Sequence, residues 1–282
     1  MHWFMRLKPL ALVMSLNLLA LFSARFANAA EPVTPPEKSK FQLFLLAGQS
    51  NMAGRGKVAE LTAAEKAPNP RVLALNQAGG WQAAEDPIHW DKAGAGVGIG
   101  KFFGKIVADK NPGVVVGLIP TACGGSPIST WQPGKHHDQT KSNPYDDCLT
   151  RARAAMQVGT LKAILWHQGE SDSNVKAAPV YEQKLEELIN RLRTDLGAPD
   201  VPFIIGQLGQ FPVPPAKPWT PERVEVDRAQ KAVAAKLKNV YYVSAEGLLS
   251  GGDNLHFSTA AQRTFAERYA EAYFKALAQA KK

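Results

Sequence analysis

The chain has no dense run of lysine and arginine interleaved with aromatics, and its closing Lys281-Lys282 pair is only a short tail. Nucleic-acid binding therefore has no support. It also lacks an apolar stretch of comfortable membrane-spanning length: the charge-free segment from Leu10 to Phe22 is too short. Internal repeats, low-complexity tracts and a linker to a second domain are missing too, so one domain is the reading. Cysteine is scarce, with only Cys123 and Cys148 in 282 residues.

The first residues explain part of this pattern. Arg6 and Lys8 precede the Leu10–Phe22 segment, and Ala27-Asn28-Ala29 follows as a small-x-small cleavage signal. These are the three parts of a secretory signal peptide. Residues 1–29 are expected to be removed, with retention as an amine-terminal anchor the alternative, and residues 30–40 to form a short extended leader. The rest, residues 41–282, is long enough for one α/β domain with a full core. The expected location is secreted or periplasmic. Of the formal charge of +8, three units belong to Arg6, Lys8 and Arg25, leaving +5 on the mature chain. That modest excess is compatible with an acidic polysaccharide or an anionic cell surface, and equally with no such partner. In an oxidising compartment Cys123 and Cys148 are expected to form a bridge; two free buried thiols are the alternative.

Five strand-like runs punctuate the mature chain, at 41–47, 114–119, 163–167, 203–207 and 240–243, and 71–75 offers a short sixth. Leu185, Leu188, Ile189, Leu192 and Leu196 share one helix face, which Gly197 ends. Residues 224–237 and 259–277 have the same period, with Ser258 as N-cap of the latter. Strands alternating with helices predict a parallel sheet covered on both faces. Three loop-rich segments, 92–100, 121–143 and 210–221, are candidates for a pocket rim.

Chemistry concentrates where apolar runs stop. Phe41–Ala47 ends in Gly48-Gln49-Ser50-Asn51, and the carboxyl end of an inner strand is where open α/β sheets place ligands. If Ser50 opens a helix, its hydroxyl stands where N–H groups and the dipole favour negative charge, as a nucleophile beside an oxyanion would need. An ordinary N-capping serine is the alternative. In Asp253-Asn254-Leu255-His256, the carboxylate can turn back onto Nδ1 of the imidazole, leaving Nε2 to accept a serine proton. A capping loop with an incidental histidine fits the same letters. A second apolar strand ends in Trp166-His167-Gln168-Gly169-Glu170-Ser171-Asp172. Gln168 there could donate to an oxyanion, Glu170 could be a second carboxylate, and His167 reads as a packing residue. Glycines in Cys123-Gly124-Gly125-Ser126 let backbone N–H groups approach a ligand closely.

Taken together and in this order, these blocks resemble the SGNH hydrolase superfamily. Within it they are similar to the branch holding sialate O-acetylesterases and family six acetylxylan esterases. The resemblance runs from Phe41 to about Lys275. It implies a three-layer α/β/α sandwich of flavodoxin-like type, with a five-stranded parallel sheet and neither metal nor cofactor. It implies Ser50 as nucleophile, His256 as general base and then acid, and Asp253 as orienting carboxylate. The oxyanion hole would combine the N–H of Ser50, that of Gly124 or Gly125, and the Gln168 side chain. Gln49 stands where the broader superfamily has aspartate, and the usual block-three asparagine is absent; the acetylesterase branch shares both departures. The function implied is removal of O-acetyl groups from carbohydrate, such as acetylxylan or sialic-acid-type substrates, through an acyl-enzyme. A short-chain lipid or thioester hydrolase, or a non-catalytic carbohydrate binder, is the alternative.

Gln49, Asn51, Arg55 and Trp131 are further candidates for contact with substrate. Arg55 could meet a carboxylated sugar or form a salt bridge across its turn. Trp81, Trp90, Trp131 and Trp219 offer flat rings for a pyranose or for packing, with Trp131 expected as a pocket wall. His136-His137-Asp138 does not read as a metal site, because adjacent histidines diverge and a third ligand is not evident.

Overall fold

A computed structural model describes Met1, His2 and residues 33–211 and 219–280. Apart from Met1 and His2, the expected export segment lies outside those residues, as does most of the proline-rich stretch 210–221. The end of the leader is not extended throughout, because Lys38–Lys40 closes a 3-10 turn.

Chain order is β1 (Phe41–Gly48), α1 (Ser50–Ala53), α2 (Ala63–Lys66), β2 (Val72–Leu75), β3 (Trp81–Ala83), α3 (Ile99–Lys110), β4 (Val115–Pro120), α4 (Pro144–Val158), β5 (Thr160–His167), α5 (Tyr181–Asp195), β6 (Phe203–Gly206), α6 (Pro221–Lys236), β7 (Val240–Val243) and α7 (Thr259–Gln279). The strands make one sheet in the order β3-β2-β4-β1-β5-β6-β7. All pairs are parallel except β2 with β3. The sheet thus has seven strands where five were expected. One addition is the short run at 71–75. The other, β3, is a three-residue return from a turn at Gly79-Gly80, where the Asn76 side chain accepts from Gly80 N–H at 2.9 Å. Three residues are too few to show a period in sequence.

Side chains of β1 alternate between two cores, as the pleat requires. Phe41, Leu43, Leu45 and Ala47 join α4, α5 and α6 on one face. Phe44 and Leu46 join Phe103 and Val107 of α3 and Phe265, Tyr269 and Tyr273 of α7 on the other. That makes the three layers expected, with β1 buried along its centre. The Leu185–Leu192 stripe is buried as read, and the Ser258 side chain caps α7 by accepting from Ala261 N–H. Chain order reverses about β1, which lies between β4 and β5. The crevice beyond its carboxyl end is therefore the topological switch point.

Cys123 and Cys148 are both buried and free, which corrects the expected bridge. Burial raises both thiols, that of Cys148 to about 12, so neither is a reactive thiolate.

Candidate active site

Past the end of β1, α1 is a single turn whose first residue is Ser50; Gln49, not Ser50, holds the cap position. A four-residue helix has little dipole, so any charge stabilisation here must come from individual N–H groups. The loop after β7 returns across the sheet to meet this turn, bringing together residues 206 apart in sequence. His256 Nε2 lies 3.0 Å from Ser50 Oγ, and His256 Nδ1 lies 2.5 Å from Asp253 Oδ2. Oδ1 of Asp253 accepts from the N–H groups of Leu255 at 2.9 Å and His256 at 2.8 Å. Partial burial raises the Asp253 pKa, but bonds from the His256 backbone and ring and from Leu255 outweigh it and hold the carboxyl at about 2. A carboxylate thus fixes a proton on Nδ1 and leaves Nε2 free to accept one from the hydroxyl.

Asn51 fixes the distance between the two halves. Its Nδ2 donates to Leu255 O at 3.1 Å and to Glu170 Oε1 at 2.6 Å, while its Oδ1 accepts from Phe257 N–H at 3.1 Å. It therefore grips the chain on both sides of His256. Asn51 is 2% exposed with these groups committed, so it supports the site and does not contact substrate as expected. Glu170 spends Oε1 on Asn51 and stands 3.5 Å from His167 Nδ1; it has no hydrogen bond to His256. His167 is buried and donates from Nε2 to Gln207 O at 2.9 Å, the packing role read from its position.

Two other expectations change. Gln168 is fully buried, and its Nε2 faces Asp172 Oδ2 at 2.5 Å, Ser126 O at 3.1 Å and Gln49 Oε1 at 3.3 Å. Two N–H bonds among three acceptors leave none for an oxyanion, so Gln168 is a structural clamp on its turn. Trp131 is also fully buried, edge-on to Trp166 at 4.9 Å, with Nε1 donating to Ser126 Oγ at 3.0 Å. It belongs to the core, not to a pocket wall.

The pocket holds about 380 Å³ and is lined by Ser50, His256, Gly125, Lys92, Gln139 and Ser171 among others. Gln49 and Arg55 also reach it. Gln49 Oε1 is occupied by Ser171 N–H at 3.3 Å, and Arg55 is paired with Asp91 at 2.8 Å, the salt-bridge alternative. Asp91 Oδ2 also accepts from Gly124 N–H at 2.8 Å. Of the two glycines, only Gly125 keeps its N–H without a partner among the described residues; Ser50 N–H is likewise unpartnered. Asp91, Lys92, Gln139 and Ser171 escaped residue-by-residue reading, although Lys92 and Gln139 lie in loops recognised as rim candidates. Polar residues in glycine-rich loops carry no period and no motif, so only folding reveals their neighbours. His136 and His137 diverge: His136 Nδ1 meets Asn143 Oδ1 at 3.0 Å, and His137 Nε2 meets Gly124 O at 3.2 Å.

Residues 40–275 match the family model described as carbohydrate esterase, sialic acid-specific acetylesterase. The chain belongs to this family. It is 34% identical over 254 residues to a probable carbohydrate esterase of Arabidopsis thaliana, an alignment covering 82% of this chain and 90% of that one. The crystal structure of the Arabidopsis protein superimposes with a TM-score of 0.74 at 33% identity, covering 85% of this chain and 99% of the other. A carbohydrate acetylesterase from Xanthomonas citri shares the fold with a TM-score of 0.63 at 23% identity, over 82% of this chain and 55% of that one. NanS does so with a TM-score of 0.62 at 17% identity, over 88% and 99%. The protein is thus a carboxylic ester hydrolase of the carbohydrate esterase type, and an acetylated carbohydrate is the substrate class its family indicates.

Burial of Trp131 in this esterase has a measurable consequence. Trp131→Ala is expected to lower stability by about 3–5 kcal/mol through the cavity it leaves, read as a fall in the denaturation midpoint. A wall residue would instead change KM and leave the midpoint in place.

Proposed function

We propose that this protein is an exported serine esterase that removes O-acetyl groups from carbohydrate through an acyl-enzyme. The observation that carries the reading is the chain Ser50 Oγ, His256 Nε2, His256 Nδ1, Asp253 Oδ2, with spacings of 3.0 and 2.5 Å, opening on a pocket at the switch point. Ser50 Oγ attacks the acetyl carbonyl as His256 takes its proton. The tetrahedral oxyanion is met by the N–H groups of Ser50 and Gly125. Collapse expels the sugar oxygen, which His256 protonates as it leaves. Water then gives its proton to His256 and attacks the acyl-enzyme, releasing acetate and restoring Ser50. The sequence of residues 1–29 supports export, and no helix among the described residues is long and apolar enough to cross a membrane.

Acetylated xylan, O-acetylated sialic acids and peracetylated monosaccharides, offered in parallel with butyryl and longer esters, test the reading. Acetate release from one or more of the sugars is expected, with at least roughly tenfold preference for acetyl over butyryl, in line with what a small acyl site discriminates per methylene. Equal turnover of long acyl esters points to a lipid or thioester hydrolase. No turnover together with no fluorophosphonate label on Ser50 points to a binder.

A further inference from the structure

The turn Gly124-Gly125 is held by side chains from three separate segments. Asp91 Oδ2 accepts from Gly124 N–H at 2.8 Å, and Ser171 Oγ donates to Gly125 O at 3.0 Å. Between them, His137 Nε2 lies 3.2 Å from Gly124 O. A carbonyl can only accept, so Nε2 of His137 carries the proton. His137 is 6% exposed and sits on a loop closed by its own N–H to Ser142 O at 2.8 Å. The motif to which it belongs, His136-His137-Asp138, is otherwise without a task in the reaction.

Of these three bonds, only the one from His137 falls on the peptide unit that carries the Gly125 N–H. Gly124 C=O and Gly125 N–H share the trans plane between the two residues, so they point in opposite directions. Fixing the carbonyl on the His137 side therefore aims the Gly125 N–H away from His137. A donor on the carbonyl also polarises the amide and strengthens the N–H as a donor in turn. Gly125 needs such restraint. Its φ is +81°, a region glycine enters freely and also leaves freely, and it has no side chain to lodge the turn. A Cβ would be strained at this φ, and it would displace the Gln139 amide, whose Oε1 would lie 2.6 Å away.

We propose that His137 is a positioning residue of the esterase: by donating to Gly124 O it orients and polarises the Gly124–Gly125 peptide, whose N–H stabilises the oxyanion. The inference rests on the reading of Ser50 as nucleophile. It predicts that the donor on His137, not its bulk or its charge, sets the rate of the chemical step.

The test compares His137→Gln, which keeps an N–H donor, with His137→Met, which has similar length and none. Deleting an oxyanion donor outright costs roughly a hundredfold to a thousandfold in kcat, so weakening and misaiming one is expected to cost about tenfold. His137→Met should lose about that much kcat on p-nitrophenyl acetate with KM changed less than about twofold, while His137→Gln stays within about threefold of the parent. Folded variants with the same kcat overturn the proposal, whether both are fast or both are slow. If His137→Met does not fold, His137→Ala decides, because it removes the same donor without placing a new side chain against the turn. A fall in kcat at constant KM supports the proposal, and an unchanged kcat overturns it. Activity in Ser50→Ala would remove the underlying nucleophile assignment instead, which separates the two failures.

Discussion

Ser50→Ala is expected to fold as the parent does and to lose roughly a thousandfold or more in kcat on p-nitrophenyl acetate, because residues acting as a unit fail together. The folding half of this expectation follows from the surroundings. Ser50 is 7% exposed, and its hydroxyl meets His256 Nε2 at the floor of the pocket, so the ring nitrogen left behind can be solvated from there. The backbone of the turn is held independently, by Gln49 O accepting from Met52 and Ala53 and by Gln262 Nε2 donating to Asn51 O at 3.1 Å. Turnover near the parental rate in a folded Ser50→Ala protein would refute the nucleophile assignment.

Asp253→Asn should come next in severity, with a loss between roughly a hundredfold and ten-thousandfold. An asparagine in that place can present an amide N–H to Nδ1. The ring then turns to the other tautomer and shows Nε2–H, a donor, to the serine. The lower bound allows for Asp253 being half exposed, at 52% of its side chain, where water competes for the ring. Glu170→Gln removes the carboxylate that lines the pocket but still offers an oxygen to Asn51 Nδ2, and it should cost less than about tenfold. Greater damage from Glu170→Gln than from Asp253→Asn would transfer the acid role to Glu170, and parental rates in both would remove it from each. The pair is compared on kcat, at a pH above the carboxylate range, with melting curves alongside.

Much of this architecture was legible because its cause is local. Uninterrupted apolar runs gave the inner strands, the Leu185 stripe gave a helix face, and the Asp253–His256 spacing let one loop fold its carboxylate onto its own imidazole. Features that depend on distant partners were not legible. Trp131 near a glycine turn reads as a wall until Trp166 is seen to cover it. Gln168 reads as a free amide until Asp172 and Ser126 are seen to occupy it. Asn51, adjacent to the serine, looks like a substrate contact, yet its bonds run to residues about two hundred positions away. Strand β3 escaped notice because three residues carry no rhythm, and Asp91 because its two partners, Arg55 and Gly124, come from other loops.

Asn51 reaches across to the chain before and after the imidazole, so the proton acceptor travels with the hydroxyl it serves whenever that edge of the domain breathes. The opposite lip, where the Lys92 ammonium meets the Gln139 amide at 2.6 Å, has no such tether to the reacting pair. Exchanges of the Lys92 and Gln139 side chains themselves can therefore reshape the entrance alone, whereas insertions beside them would disturb Asp91 and His137, which hold the Gly124–Gly125 turn from the same two loops.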